Sequence, residues 1–318
     1  MSAQPAGRSC PLHYRYRPQQ LCQAPETWGE DVLYVIGGLY GNPFALDTIE
    51  AMAAAERAAG RSVRLLFNGD FNWFNASDEL FDIINRRVLR HHAMLGNVEV
   101  ELANPSSGAG CGCGYPEFVD DTVVARSNRI MARLQGHAHR HAEIRDQLKT
   151  LPRWRSGIFG GLKVLVLHGD PESLAGWGLS REHLTATGVG PLAQWFRQTD
   201  ADVILCSHTC LPLVWSGEVE GRRRWLVNNG SAGMANLLGD HRGLIARLSA
   251  SEPLLTPLAG HRGELDGVGL LPVDFSREKW LATFDRLWPV GSAAAQSYRQ
   301  RIVEGTDLAC DDVILCLS

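Results

Sequence analysis

Two kinds of apolar pattern alternate along this chain. Short, nearly unbroken apolar runs at Asp31–Gly38, Ser62–Asn68, Leu162–Leu167, Asp202–Cys206 and Gly243–Leu248 predict strands buried on both faces. Between them lie longer stretches whose apolar residues recur every three or four positions. Asn42-Pro43 opens one such helix, with Asn as cap and Pro at the first helical position. Phe44, Ala45, Ile49, Met52, Ala53 and Ala54 continue it, and Gly60 ends it. Ser77–His91 predicts a second helix, with Leu80, Phe81, Ile84 and Val88 on one face, and Ala93–Leu95 leads into a third strand end. Glu117–Leu151 reads as mostly helical, and Pro191–Gln198, Arg277–Leu287 and Ala293–Val303 read as helices. Leu211–Gly217 and Arg224–Asn228 predict a hairpin around Gly217 and Gly221. The alternation argues an α/β fold whose ligands sit on loops at the carboxyl ends of strands. Residues 1–30 are expected to form an irregular arm, 31–250 the main domain, 105–155 a helical cap-like insertion after a loop rich in Gly, Ser and Cys, and 251–318 an extension that completes the fold.

Composition narrows the function. At 318 residues, 45% hydrophobic and 21% charged, the chain is of ordinary globular type. A net charge of −4, with Arg222-Arg223-Arg224 as a short basic run in the predicted hairpin, gives no nucleic-acid footprint. No apolar stretch reaches membrane-spanning length, and Met1–Gln20 lacks the apolar core of a signal peptide, so a cytoplasmic location is expected. On that expectation the eight cysteines read as thiols or occasional ligands rather than a disulfide framework.

Four potential metal ligands follow apolar runs in order: Asp70, Asn97, His168 and His208. Taken singly, each is compatible with a helix cap or an ordinary hydrogen-bonding role. Together, one carboxylate, one amide and two imidazoles at strand ends form a binding constellation.

The ordered set resembles the calcineurin-like metallophosphoesterase superfamily, whose motifs run Asp-x-His, Gly-Asp, Gly-Asn-(His), His-Gly and Gly-His-x-His. The correspondents here are Gly38-Leu39-Tyr40, Gly69-Asp70, Gly96-Asn97-Val98-Glu99, His168-Gly169-Asp170 and Ser207-His208-Thr209-Cys210. The small bacterial phosphodiesterase-like branch is nearest, through Gly41-Asn42, Ala45-Leu46 and Asn229-Gly230-Ser231-Ala232-Gly233. The resemblance covers residues 31–235 and implies a four-layer αββα sandwich of two mixed sheets flanked by helices. Such enzymes hold two metal ions about 3.5–4 Å apart and attack phosphorus with a metal-bound hydroxide. Mapped residue by residue, one ligand set survives whole as Asp70, Asn97, His168 and His208. The other keeps only the shared Asp70, since its Asp is Gly38, its first His is Tyr40 and its last His is Cys210. The resemblance therefore implies one divalent transition metal, Mn, Fe or Zn by its donor set, in place of two. With a divalent ion the formal balance is +1, which attracts a small phosphorylated ligand.

Neighbouring residues carry open readings. Val98 replaces the His that many relatives use to protonate the leaving group, and Glu99 and Asp170 are the candidates to substitute for it. Tyr40 either fills the space of the lost metal or hydrogen-bonds a phosphate oxygen, and Gly41 and Asn42 offer amides to an anion. Cys111 and Cys113 are incidental loop thiols, or they join Cys210 to hold a soft ion or to react. His137, His139 and His141 read as solvated surface, and Asn228, Asn229 and Ser231 as loop-stabilising. The first expectation for function is a phosphoesterase hydrolysing a small phosphomonoester or phosphodiester with a single metal. The alternatives are a catalytically silent relative that binds phosphate or nucleotide, and different chemistry built on Cys111, Cys113, Cys210 and Tyr40. The oligomeric state is left open.

Overall fold

Eleven strands build two sheets in the computed structural model, which describes residues 5–8, 10–249 and 267–317. The first four residues of the expected arm and the boundary expected at 250/251 lie outside the described residues. The strands are β1 (Glu26–Trp28), β2 (Val32–Ile36), β3 (Val63–Phe67), β4 (His92–Ala93), β5 (Arg155–Phe159), β6 (Leu162–Val166), β7 (Val203–Cys206), β8 (Pro212–Val219), β9 (Arg222–Asn229), β10 (Gly243–Ser249) and β11 (Val268–Val273). One sheet runs β1-β5-β6-β7-β9-β8 and the other β11-β10-β2-β3-β4. Both are mixed: β2, β3 and β4 are mutually parallel, as are β6, β7 and β9, while β10 and β8 run antiparallel to their neighbours.

The strand period of two explains the unbroken apolar runs. Leu33 and Val35 of β2 point between the sheets, where they join Leu66, Leu244 and Ala246 against Val164, Val166, Val203, Leu205 and Val227. Val32, Tyr34 and Ile36 point the other way, into a core shared with helices α1 (Pro43–Ala58), α2 (Asp78–Val88) and, further along the chain, Trp280 and Phe284. On the far side, Leu165, Ile204 and Leu226 pack against Leu192, Trp195 and Phe196 of a helix at Val189–Thr199. The layers are thus αββα, as the resemblance implied.

The periodic stretch expected at 117–151 is two helices, Asp121–Ala138 and Ala142–Lys149, broken around His139–His141. Three strands went unread. β1 is only three residues long; β5 mixes Arg155, Ser156 and Gly157 among its residues; β11 contains Pro272, a residue strands tolerate at sheet edges, which is where β11 lies.

Asn42 performs the capping role its position predicts. Its side-chain oxygen accepts from the Phe44 and Ala45 amides at 3.0 and 3.1 Å, and its amide group donates to the Gly233 carbonyl at 3.0 Å. Asn42→Ala removes the cap and leaves that buried carbonyl without its donor. The expected cost is about 2 kcal/mol, read as a lower denaturant midpoint with an unchanged slope.

Candidate metal centre

Because β2, β3 and β4 run parallel in one sheet and β6 and β7 run parallel in the other, their carboxyl-end loops gather at a shared edge. Two hydrogen bonds join the loops across the sandwich. The Asn68 side-chain amide donates to the Leu167 carbonyl at 3.1 Å, and His168 Nδ1 donates to the Asn68 carbonyl at 2.9 Å. Gly96 allows the β4 loop to close in, because a Cβ there would lie 2.3 Å from Asp70 Oδ1. Asn97 follows as the first residue of a buried helix, Asn97–Ala103.

The four expected ligands come together around one atom, His168 Nε2. Asn97 Oδ1 lies 3.1 Å from it, His208 Nδ1 3.1 Å and an Asp70 oxygen 3.3 Å. The outer sides of these groups are already engaged. His168 Nδ1 donates to Asn68, His208 Nε2 donates to the Cys113 carbonyl at 2.9 Å, and Asn97 Nδ2 donates to the Cys111 carbonyl at 3.0 Å. These bonds assign the tautomers and the amide orientation, so lone pairs face inward from Asp70, Asn97 and His208, and from His168 when its imidazole is neutral. A cluster of acceptors within 3.3 Å of His168 Nε2 fits a cation, and one carboxylate with two imidazoles and an amide suits a divalent transition metal. Asp70, His168 and His208 are a potential metal-binding triad, with ligand atoms all within 4.8 Å of one another.

Electrostatics make His168 Nε2 the place where a proton or a metal ion competes for these acceptors. Burial opposes a charge on His168, yet the Asp70 carboxylate outweighs it and holds the imidazole above its ordinary range. Burial also works against the Asp70 carboxylate, and the facing imidazoles overcome it to keep that group below its ordinary range. Burial, with His168 beside it, pushes His208 down to about 4.

Glu99 and Asp170 hold loops rather than face the pocket. The Glu99 carboxylate accepts from the amides of Asp70, Phe71, Asn72 and Gly96 at 2.7–3.2 Å. Burial and the nearby Asp70 charge raise it to about 7, but its oxygens are occupied by that loop. Asp170 accepts from the amides of Glu172, Ser173 and Gly178 at 2.9–3.0 Å. Their expected candidacy as proton donors is corrected by these bonds.

The positions that the resemblance aligned with the other ligand set, Gly38, Tyr40 and Cys210, pack against one another. Tyr40 Oη meets Cys210 Sγ at 2.5 Å, and a Cβ on Gly38 would lie 3.0 Å from Tyr40 Cζ. The phenol therefore occupies the space into which a side chain at 38 would extend. Burial raises both Tyr40 and Cys210 above their ordinary values, so they are a neutral phenol and a neutral thiol. Among the described residues, five non-glycine residues have left-handed φ, and three of them, Tyr40, Asp70 and Cys210, line this pocket. Such conformations cost about 1–3 kcal/mol each and persist where the surroundings enforce them.

Cys111 and Cys113 are paired with each other as a disulfide, with Cα atoms 5.4 Å apart. This pair departs from the reading of the cysteines as thiols or occasional ligands, and it leaves Cys210 partnered by Tyr40 instead of a thiol cluster. The loop matters through its backbone, since both cysteine carbonyls hold metal-facing side chains. Asn42 is buried as a helix cap and does not line the pocket. His137 and His141 lie against Asp78 at 3.4 and 3.1 Å, and His139 against Arg145 at 3.2 Å, all on the surface.

The pocket wall that pattern reading missed is aromatic: Trp73, Tyr115, Trp177 and Tyr298, with Thr209 beside them. Trp177 stands against the His208 ring with centroids 5.6 Å apart. The available signal was an aromatic residue flanked by glycines, as in Gly176-Trp177-Gly178.

Metal-free protein titrated with Mn²⁺ or Zn²⁺ is expected to melt at progressively higher temperature. A ligand at a hundred times its Kd adds about 2.7 kcal/mol of stability. His168→Ala is expected to remove that rise, measured by scanning calorimetry as the metal-dependent increment. An identical increment in His168→Ala would place the ion elsewhere.

No protein-family model matches the sequence, and no curated protein matches it. Solved structures do match. A hypothetical protein from Pyrococcus horikoshii superposes with a TM-score of 0.56 at 16% identity, covering 87% of this chain and 99% of that one. A metallophosphoesterase from Sphaerobacter thermophilus superposes with a TM-score of 0.51 at 19% identity, covering 86% and 99%. With two mixed sheets between helical layers, the chain has the calcineurin-like metallophosphoesterase fold.

Proposed function

We propose that this chain is a metal-dependent phosphoesterase that works with one divalent transition ion, Mn, Fe or Zn, held by Asp70, Asn97, His168 and His208. The observation that carries the reading is the convergence of Asn97 Oδ1, His208 Nδ1 and an Asp70 oxygen within 3.3 Å of His168 Nε2. The fold shared with a protein described as a metallophosphoesterase supports it. A divalent ion bound there supplies Lewis-acid polarisation of a phosphoryl oxygen and acidifies water.

The chain's own residues define the rest. Asp70, Asn97 and His208 line the pocket floor, and His168 lies buried behind them. Their outer partners, the carbonyls of Asn68, Cys111 and Cys113, fix their orientation, which preorganises the site. Tyr40, Thr209 and Cys210 add neutral hydrogen-bonding groups to the lining. Val98 gives the site no imidazole at the place where relatives protonate the leaving group. Leaving groups of low pKa are therefore favoured, and a steep dependence of rate on leaving-group pKa is expected across a series of substituted aryl esters.

Tyr40 packed in the place of the other metal ligands favours a second reading, a protein that binds phosphate without turning it over. One assay separates them. Metal-replete protein is expected to hydrolyse bis(4-nitrophenyl) phosphate, a chelator to stop the reaction, and metal to restore it. His168→Ala is expected to lower the rate by more than the ~100-fold that loss of a ligand's outer partner costs. Metal-replete protein that binds inorganic phosphate yet is inert toward a panel of phosphoesters would establish the second reading instead.

A further inference from the structure

We propose that the Cys111–Cys113 disulfide is a redox site that sets how tightly the metal centre holds its ion, and that its reaction partner is a small dithiol entering through the pocket. The inference rests on the four-residue metal site and is independent of hydrolysis. Position is the first ground. His168 has its outer partner just past the end of a strand, the Asn68 carbonyl. Asn97 and His208 have theirs in the loop, and both partners are carbonyls of the bridged cysteines. The Asn97 amide group donates to Cys111 at 3.0 Å, and His208 Nε2 donates to Cys113 at 2.9 Å. Asn97 Nδ2 also lies 3.7 Å from Cys113 Sγ. The bridge therefore joins the two residues that orient Asn97 and His208 toward the ion.

Loop order is the second ground. Residues 104–120 contain no helix or strand. Gly112, between the two cysteines, and Gly114, just beyond them, take left-handed φ of 68° and 59°. Glycine has the most backbone freedom to lose, so such a segment is costly to order. A covalent bridge restricts that freedom. The bonds that remain near it are few: the Cys111 amide donates to Asn128 Oδ1 at 2.9 Å, and the Trp177 indole N–H donates to the Cys113 carbonyl at 2.9 Å. Opening the bridge releases the two carbonyls from each other, and the metal-facing groups lose their preorganisation. Loss of a ligand's outer partner weakens metal binding by roughly 10–100-fold.

Access is the third ground. Cys113 lines the pocket, whereas Cys111 is fully buried. A sulfur recessed in a pocket wall suits a small dithiol. One thiolate of the dithiol attacks Cys113 Sγ, the bond between the two cysteines breaks, and Cys111 leaves as a thiolate. The second thiolate of the dithiol then attacks the reagent's own sulfur in the mixed disulfide, and Cys113 leaves. The protein disulfide gains two electrons, the dithiol is oxidised to a cyclic disulfide, and its two protons end on Cys111 and Cys113. By linkage, an ion held more tightly by the bridged protein stabilises the bridge by the same factor.

The test uses the full chain, stripped of metal and equilibrated with oxidised or reduced dithiothreitol, which is then removed without air. Mn²⁺ is the probe, because thiolates favour softer ions. The reduced protein is expected to show two more thiols on unfolding and to bind Mn²⁺ about tenfold more weakly by calorimetry. Saturating Mn²⁺ is expected to lower the midpoint potential of the pair by about 30 mV, the same tenfold factor for two electrons. Cys111→Ser is expected to bind Mn²⁺ as the reduced protein does and to ignore dithiothreitol. The wild-type comparison decides the matter alone should that variant fail to fold. Equal affinities in the two states, an unchanged thiol count, or a potential that Mn²⁺ does not move would overturn the proposal and leave the phosphoesterase reading standing. Tighter binding after reduction would also overturn it, by making a freed thiol a ligand. Mn²⁺ bound in neither state would overturn it together with the metal site.

Discussion

Acceptor atoms of Asp70, Asn97 and His208 gather within 3.3 Å of His168 Nε2, the one position among them where the protein can place a proton. The N–H groups of His168, His208 and Asn97 that are able to relieve this crowding face outward and are bound to carbonyls. Acceptors held in this way take a proton on His168 or a metal ion between them, and much of the local structure enforces the arrangement. Gly96 permits the close approach, Asp70 takes a left-handed backbone, and Glu99 ties together four amides from two loops. The parallel strands bring the loops to one edge, and the two-sided apolar core holds the sheets so that His168 and Asn68 meet. Fold and site are one constraint, since moving either sheet changes the distances at His168 Nε2.

The opposite side of the pocket obeys a different logic. Where the resemblance calls for carboxylate and imidazoles, the chain has Gly38, Tyr40 and Cys210, and they form a packed unit. A glycine alone would leave a void, and a tyrosine alone would bury an unpartnered hydroxyl. The phenol fills the space left by the absent side chain at 38, and the thiol satisfies the phenol. Left-handed backbone at Tyr40 and Cys210 places them in contact. On the proposed one-metal reading, this mutual fit explains why Gly38, Tyr40 and Cys210 occur together.

The order of Asp70, Asn97, His168 and His208 was legible because each follows an apolar run, and parallel strands convert that order into proximity. Asn42-Pro43 announced its helix through cap chemistry that is local in sequence. What stayed hidden depends on tertiary context. β1, β5 and β11 are short, mixed or Pro-containing and are stabilised by their neighbours in the sheet. The helix at Asn97–Ala103 buries Glu99 and Glu101, so it shows no amphipathic face. Glu99 looked like a proton donor because its position beside Asn97 is visible in sequence, whereas its four amide partners lie up to 29 residues away. The aromatic wall is drawn from separate loops and one late helix, with no spacing to connect its members.

The central claim is that one metal site is complete and its neighbour is occupied by protein side chains. The most direct measurement is elemental analysis of protein purified without a metal-affinity tag. The account predicts about one divalent transition-metal ion per chain. About two ions per chain would contradict it, because the second would have to displace Tyr40 from Cys210 and rebuild a site from the shared Asp70 and a thiol.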